Sequence, residues 1–151
     1  MKLSLWEKLA GSFFYVGFYA KGPGTVTSLL VFLLAWFASP QLLWMALLLV
    51  IPLSFFLAYR FEKCIGHDPA AFTLDEVAGS LIVLCCIPHH ILFYGAFFII
   101  WRLLDIFKPF LRKVEQIQQG IGMVLDDVLA ATATAGLYYL FVWIDKLTIW
   151  S

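Results

Sequence analysis

From Gly22 to Tyr59 the chain carries no charged residue, and the same holds from Val77 to Trp101 and from Val128 to Ile144. No other feature constrains the fold as strongly. A chain of 151 residues has a large surface for its volume, and here only 13% of the residues are charged. Ordinary soluble domains carry about 25%. Hydrophobic residues make up 63%, and mean hydropathy is +0.92. This composition argues against a soluble monomer and against disorder, and it places much of the surface in lipid. The length suits a single membrane-embedded domain, 1–151.

Ser39-Pro40-Gln41 divides the first run, because proline lacks an N–H and ends helices. The second half, Leu42 to Tyr59, is near the lower length limit for a membrane span. The first half, Thr25 to Ala38, is shorter still. The run from Val77 to Trp101 admits two readings. It is long enough for one span, but Pro88-His89-His90 sits at its midpoint. The alternative is a hairpin over 77–104, with two short arms of about 11 residues, each about 17 Å long. The last run is rich in Ala, Thr and Gly between Ala130 and Gly136. Small residues let helices approach closely in lipid, so this helix is expected to pack against the others.

The N-terminal segment, 1–20, places Lys2, Glu7 and Lys8 among Leu3, Leu5, Trp6, Leu9, Phe13 and Phe14. Glu7 and Lys8 interrupt the apolar region a signal peptide needs, so an interfacial amphipathic helix is the better reading. Lys and Arg cluster before residue 22, at 60–63 and at 102–113, while the Pro40 turn is uncharged. The positive-inside rule puts the N-terminus and both charged central loops in the cytoplasm. Formal net charge is +0, with no basic excess of the kind that nucleic acid binding needs. Cys64, Cys85 and Cys86 form neither a disulfide framework nor a zinc pattern.

Half of the ten acidic residues lie in three places: Asp75-Glu76, Asp105, and Asp126-Asp127. Each place is the edge of an apolar helix. Acids at a helix N-terminus interact well with the helix dipole, which alone could explain either pair. It explains the set less well. Adjacent carboxylates repel, and Asp105 closes its run, where the dipole is unfavourable. Arg102 lies one turn before it and Lys108 one turn after, on the same helix face.

Five carboxylates beside a few cations suit magnesium-dependent phosphate chemistry. Mg²⁺ prefers oxygen ligands and usually also binds substrate phosphate, and Arg and Lys complement phosphate oxygens. If 77–101 were one span, Asp75-Glu76 and Asp105 would lie on opposite faces of the membrane. A hairpin turning at Pro88-His89-His90 returns all five acids to one face, and is the reading favoured here. The segment from Lys21 to Ser28 contains glycines and hydroxyls ahead of a helix. It is not a Walker A loop, but such a segment can offer N–H groups to an anion; capping by Thr25 is the plain alternative.

The ordered motifs Gly22-Pro23-Gly24-Thr25-x-x-Ser28, His67-Asp68, Asp75-Glu76-x-x-Gly79, Arg102-x-x-Asp105-x-x-Lys108-Pro109 and Gly120-x-Gly122-x-x-x-Asp126-Asp127 cover about residues 20–135. Taken together they resemble the phosphatidylglycerophosphatase A family. Thr27 stands where that family usually has Gly. The resemblance implies a bacterial inner-membrane enzyme with its active site facing the cytoplasm. It would use Mg²⁺ to hydrolyse phosphatidylglycerophosphate, a phospholipid of the bilayer, to phosphatidylglycerol and phosphate.

The expectation is an all-α integral membrane protein, a compact bundle with short membrane helices. Asp75, Glu76, Asp105, Asp126 and Asp127 would bind Mg²⁺ or activate water. Arg102 and Lys108, with Thr25 and Ser28, would neutralise the phosphate. His67 and Asp68 would stand behind them, and His89-His90 at the hairpin turn would be interfacial. Direct water attack and an aspartyl-phosphate intermediate both remain open. Another Mg²⁺-dependent phospholipid-synthesis enzyme, such as a phosphatidyltransferase, would carry a longer Asp-Gly…Ala-Arg…Gly…Asp…Asp pattern on one helix. A transporter or structural subunit would line its acids along a path through the bilayer.

Overall fold

A computed structural model describes residues 2–107, 114, 117 and 119–149. Among them the regular structure is entirely helical: α1 (Leu5–Gly11), α2 (Val16–Tyr19), α3 (Pro23–Ala35), α4 (Pro40–Ile65), α5 (Leu74–Cys86), α6 (Ile91–Phe107) and α7 (Ile121–Ile149). The chain is an all-α membrane protein. α4 and α7 are long and apolar enough to cross a bilayer. α4, at 26 residues, rises about 39 Å, more than the ~30 Å hydrocarbon core. Large apolar side chains lie open on the bundle surface, among them Phe37, Leu48, Leu49 and Phe141. Water would not tolerate so much exposed apolar surface.

The hairpin is present. α5 has 13 residues and α6 has 17, joined through Ile87–His90. Their lengths, about 20 and 25 Å, leave both short of a full crossing. The His90 N–H donates to the Pro88 carbonyl at 2.8 Å, which begins to satisfy the backbone of the turn. His89 stacks on Trp36 with centroids 4.5 Å apart and meets its carbonyl at 3.0 Å. The turn is thereby held against the C-terminal end of α3.

α5 sits in the middle of the bundle and touches α3, α4, α6 and α7. Its sequence explains the position: Val77, Ala78, Gly79, Ser80, Leu81, Val83 and Leu84 are all buried, so it is apolar or small on every side. Ser39 caps α4 through the Leu42 N–H, and Pro40 occupies the first turn, where its missing N–H costs nothing. Within α4, Ser54 donates to the Val50 carbonyl at 2.8 Å and approaches the Leu74 carbonyl at 3.1 Å, tying α4 to the start of α5. Ala130, Ala131, Thr134 and Ala135 are buried on α7, as their small size led us to expect.

Gly79 of α5 packs against Trp101 of α6. A Cβ added there would stand 2.7 Å from the Trp101 ring, which is wholly buried and cannot yield cheaply. Gly79→Val should therefore push the hairpin arms apart. We expect a lower unfolding temperature in detergent and an activity loss of about tenfold or more, by an orientation effect. An active, equally stable variant would contradict this packing.

The N-terminal segment departs from a single amphipathic helix. Phe13, Phe14 and Tyr15 all take positive φ (43°, 56° and 68°), which ends α1 and separates it from α2. The segment also has inward partners. The Thr73 N–H donates to the Gly11 carbonyl at 2.8 Å, and Gly17 packs on the Ala71 carbonyl. Arg60 of α4 donates to Glu7 at 2.6 Å. That bond, with donors from Ser4, holds the Glu7 carboxyl well below its usual range, at about 2. The segment thus buttresses the loop that precedes α5.

Candidate active site

Five acids from three helices converge on one cavity of about 250 Å³. Asp75 and Glu76 come from the first turn of α5, Asp105 from α6, and Asp126 and Asp127 from α7. Gly22, Gly24 and Thr25 from the start of α3 and Asp68, Pro69 and Ala70 from the loop before α5 complete much of the wall. Arg102 is the one basic residue lining it among the described residues.

Glu76, Asp105 and Asp127 each place a carboxylate oxygen within 4.8 Å of the other two. Arg102 lies among them. It is paired with Glu76 and sits 2.9 Å from Asp105, one turn along the same helix. Its other contacts are longer: the Ser28 and Thr25 hydroxyls, each at 3.4 Å. Ser28 in turn approaches Glu76 at 3.2 Å and donates to the Gly24 carbonyl at 2.8 Å. Gly24 is required by this closeness, since a Cβ there would collide with the Glu76 carboxylate. Asp75 and Asp126 each accept the backbone N–H of the acid that follows, at 2.8 and 3.1 Å.

Like charges this close are costly in a dry setting. Burial pushes the Asp75 carboxyl well up, and the charge of Glu76 adds to the push. Burial, then the charge of Asp105, raise the Glu76 carboxyl to about 7 against the pull of Arg102. One guanidinium does not balance so many carboxylates. Moreover, no hydrogen-bond donor among the described residues reaches the buried Oδ2 of Asp127. A hard divalent cation fits this all-oxygen donor set, and Glu76, Asp105 and Asp127 are the residues placed to hold it.

Several expectations change. Asp126-Asp127 does not open its helix, because α7 begins at Ile121, more than a turn earlier. Dipole stabilisation at the N-terminus therefore does not account for this pair. Thr25 is not a cap; Gly22 occupies the N-cap position, with no side-chain cap bond. His67 is not among the residues lining the cavity and has Nδ1 2.8 Å from Glu62, while its neighbour Asp68 lines it. Lys108 lies outside the described residues. The sequence reading overlooked Glu62, whose carboxylate accepts the Gly120 N–H and thereby ties the approach to α7 onto α4. Gly120 has φ +73° and packs on the Ala58–Tyr59 backbone, a place only glycine fits.

Comparison with known proteins points to one family of phosphatases. The sequence model of the family described as phosphatidylglycerophosphatase A matches residues 9–142. A protein of Bacteroides thetaiotaomicron named "Putative phosphatidylinositol-3-phosphatase" is 34% identical, over 90% of this chain and 93% of its own length. Phosphatidylglycerophosphatase A of Escherichia coli is 32% identical, over 78% of this chain and 72% of its own. The protein of that name from Haemophilus influenzae is 41% identical, over 43% of this chain and 42% of its own. No solved structure matches.

Proposed function

Since the chain belongs to the phosphatidylglycerophosphatase A family and is a phosphatase, we propose that it hydrolyses the terminal phosphomonoester of phosphatidylglycerophosphate, using Mg²⁺, at the cytoplasmic face of a bacterial inner membrane. One observation carries the reading: three carboxylates from three helices meet around a cavity, with a buried Asp127 oxygen that no donor among the described residues satisfies. A phosphate would be repelled by this acid set alone, so a divalent cation must accompany it. The cation supplies positive charge at the phosphate oxygens and at the developing negative charge.

The protein's own groups have distinct tasks. Glu76, Asp105 and Asp127 hold the cation. Asp75 and Asp126 line the cavity beside them and extend its negative field. Arg102 faces the phosphate while Glu76 and Asp105 fix its planar fork. Thr25 and Ser28 offer hydroxyls, and Lys108 adds a second cation from the chain following α6. Asp68 closes the cavity from its loop, with His67 beyond it. In the reaction, a water oxygen bonds to phosphorus as the ester P–O bond breaks. A carboxylate takes the water's proton and passes it to the departing glycerol oxygen, which leaves as an alcohol.

The relative named for phosphatidylinositol-3-phosphate favours a second reading, in which the headgroup is a phosphorylated inositol. Phosphate release by detergent-purified protein separates them. We expect phosphatidylglycerophosphate to be cleaved faster than phosphatidylinositol-3-phosphate and phosphatidic acid. Chelation with EDTA should remove the activity, and excess Mg²⁺ should restore it. Preference for the inositol lipid would replace the first reading with the second. Undiminished turnover in EDTA would refute the metal site.

A further inference from the structure

Below the acid cluster, α6 is flanked by two apolar grooves. On one side α3 and α6 enclose about 170 Å³, with Leu29, Leu33, Gly95 and Phe98 in the walls. On the other side α6 and α7 enclose about 570 Å³, with Phe93, Ala96, Ile100, Leu137 and Phe141. Among the described residues, no charged one lines either groove. Both start beneath the site: Phe98 is one turn below Arg102, and Ile100 lies between one and two turns below Asp105. Both end near the hairpin turn, at Ile91 and Leu92. From Ile91 to Arg102 the helix rises about 17 Å. That is close to one leaflet of hydrocarbon, half of ~30 Å.

Gly95 shows that the first groove is not a helix-packing seam. Small residues in membrane helices usually let a neighbouring backbone come close. Here an added Cβ would meet no heavy atom within 4 Å. The glycine weakens the helix relative to alanine and leaves open space instead of a contact.

We infer that the two grooves hold the two acyl chains of a diacyl phospholipid substrate, which straddles α6 with its phosphate at the acid cluster. The inference rests on the phosphatase reading above. Two grooves on either side of the helix that carries Arg102 and Asp105 match a ligand with one phosphorylated headgroup and two tails, and the rise from their far ends to Arg102 matches one leaflet. Lipid tails are as apolar as the groove walls, so the grooves add little affinity over the surrounding bilayer. They act by placement: tails held on both sides of α6 fix the depth and rotation of the headgroup.

The test compares dipalmitoyl with dibutyryl phosphatidylglycerophosphate in one detergent. Gly95→Leu fills one groove and Ala96→Trp the other. Each should lower the ratio of long-chain to short-chain kcat/KM by about tenfold, the scale of a misplaced reacting group. Leu48→Trp, on the open face of α4, should leave that ratio as it is. Unfolding temperatures verify the fold of each variant, and because the grooves are separate, either groove variant alone carries the test. An unchanged ratio in folded, active groove variants overturns the assignment. Wild-type protein inert on both lipids would defeat the phosphatidylglycerophosphate reading on which the assignment rests, and the groove assignment with it.

Discussion

Asp127→Asn should cut phosphate release by about 10²–10³-fold without weakening the fold, the scale of losing one preorganised charged group. The substitution keeps the side chain's shape and changes its charge. Asp127 is 5% exposed and shares the 4.8 Å cluster with Glu76 and Asp105. Asparagine there lowers the charge that holds a cation and sets an amide among carboxylates. It also relieves repulsion within the cluster. The unfolding temperature in detergent, measured without added metal, should therefore stay level or rise. Activity and stability would move in opposite directions, as expected of a group kept for function at a cost to the fold. A fully active variant would remove Asp127 from the site. Loss of activity through unfolding would make it structural.

Arg102→Ala should lose activity as well, but with the opposite effect on stability. The guanidinium is 9% exposed and lies between Glu76 and Asp105, whose side chains are 13% and 7% exposed. Removing it leaves buried carboxylates without their counter-charge, a change that typically costs about 3–5 kcal/mol. The unfolding temperature should fall clearly, and added Mg²⁺ should recover part of the loss by supplying the missing positive charge. Arg102→Lys should not restore activity, because an ammonium cannot hold two carboxylates in a planar fork and still face a phosphate. Thermal unfolding with and without Mg²⁺, beside phosphate release, checks both points. An Arg102→Ala protein as stable as wild type would show that the cluster balances its charge by other means.

These opposed effects follow from a site whose outline could be read from the sequence. Charges are so sparse that the long runs without them reveal the helices, and the ends of those runs reveal the acids. Pro88-His89-His90 in an uncharged stretch was enough to anticipate the hairpin, because an 11-residue arm cannot cross a bilayer and a returning arm brings Asp105 back to Glu76. The membrane class followed from composition. The finer structure depended on tertiary contacts that no local pattern carries. Three aromatic residues in left-handed conformation break the N-terminal helix, and nothing about Phe13, Phe14 and Tyr15 as residue types signals it. The start of α7 was misplaced because the run without charges begins only at Val128, whereas the helix begins at Ile121 and carries Asp126-Asp127 within it. Gly24 reads as part of a segment that offers N–H groups to an anion, yet its place is set by the Glu76 carboxylate pressed against it. The Glu62–Gly120 tether joins residues far apart in the chain and leaves no sequence signature.

The central claim is that Glu76, Asp105 and Asp127, from three different helices, hold one cation together. Calorimetric titration of Mg²⁺ into the metal-stripped, detergent-purified full chain tests it most directly. The account predicts saturable binding to the wild type, and loss of that binding in Glu76→Gln, in Asp105→Asn and in Asp127→Asn, each still folded. Wild-type binding that persists unchanged in any one of the three folded variants would contradict it.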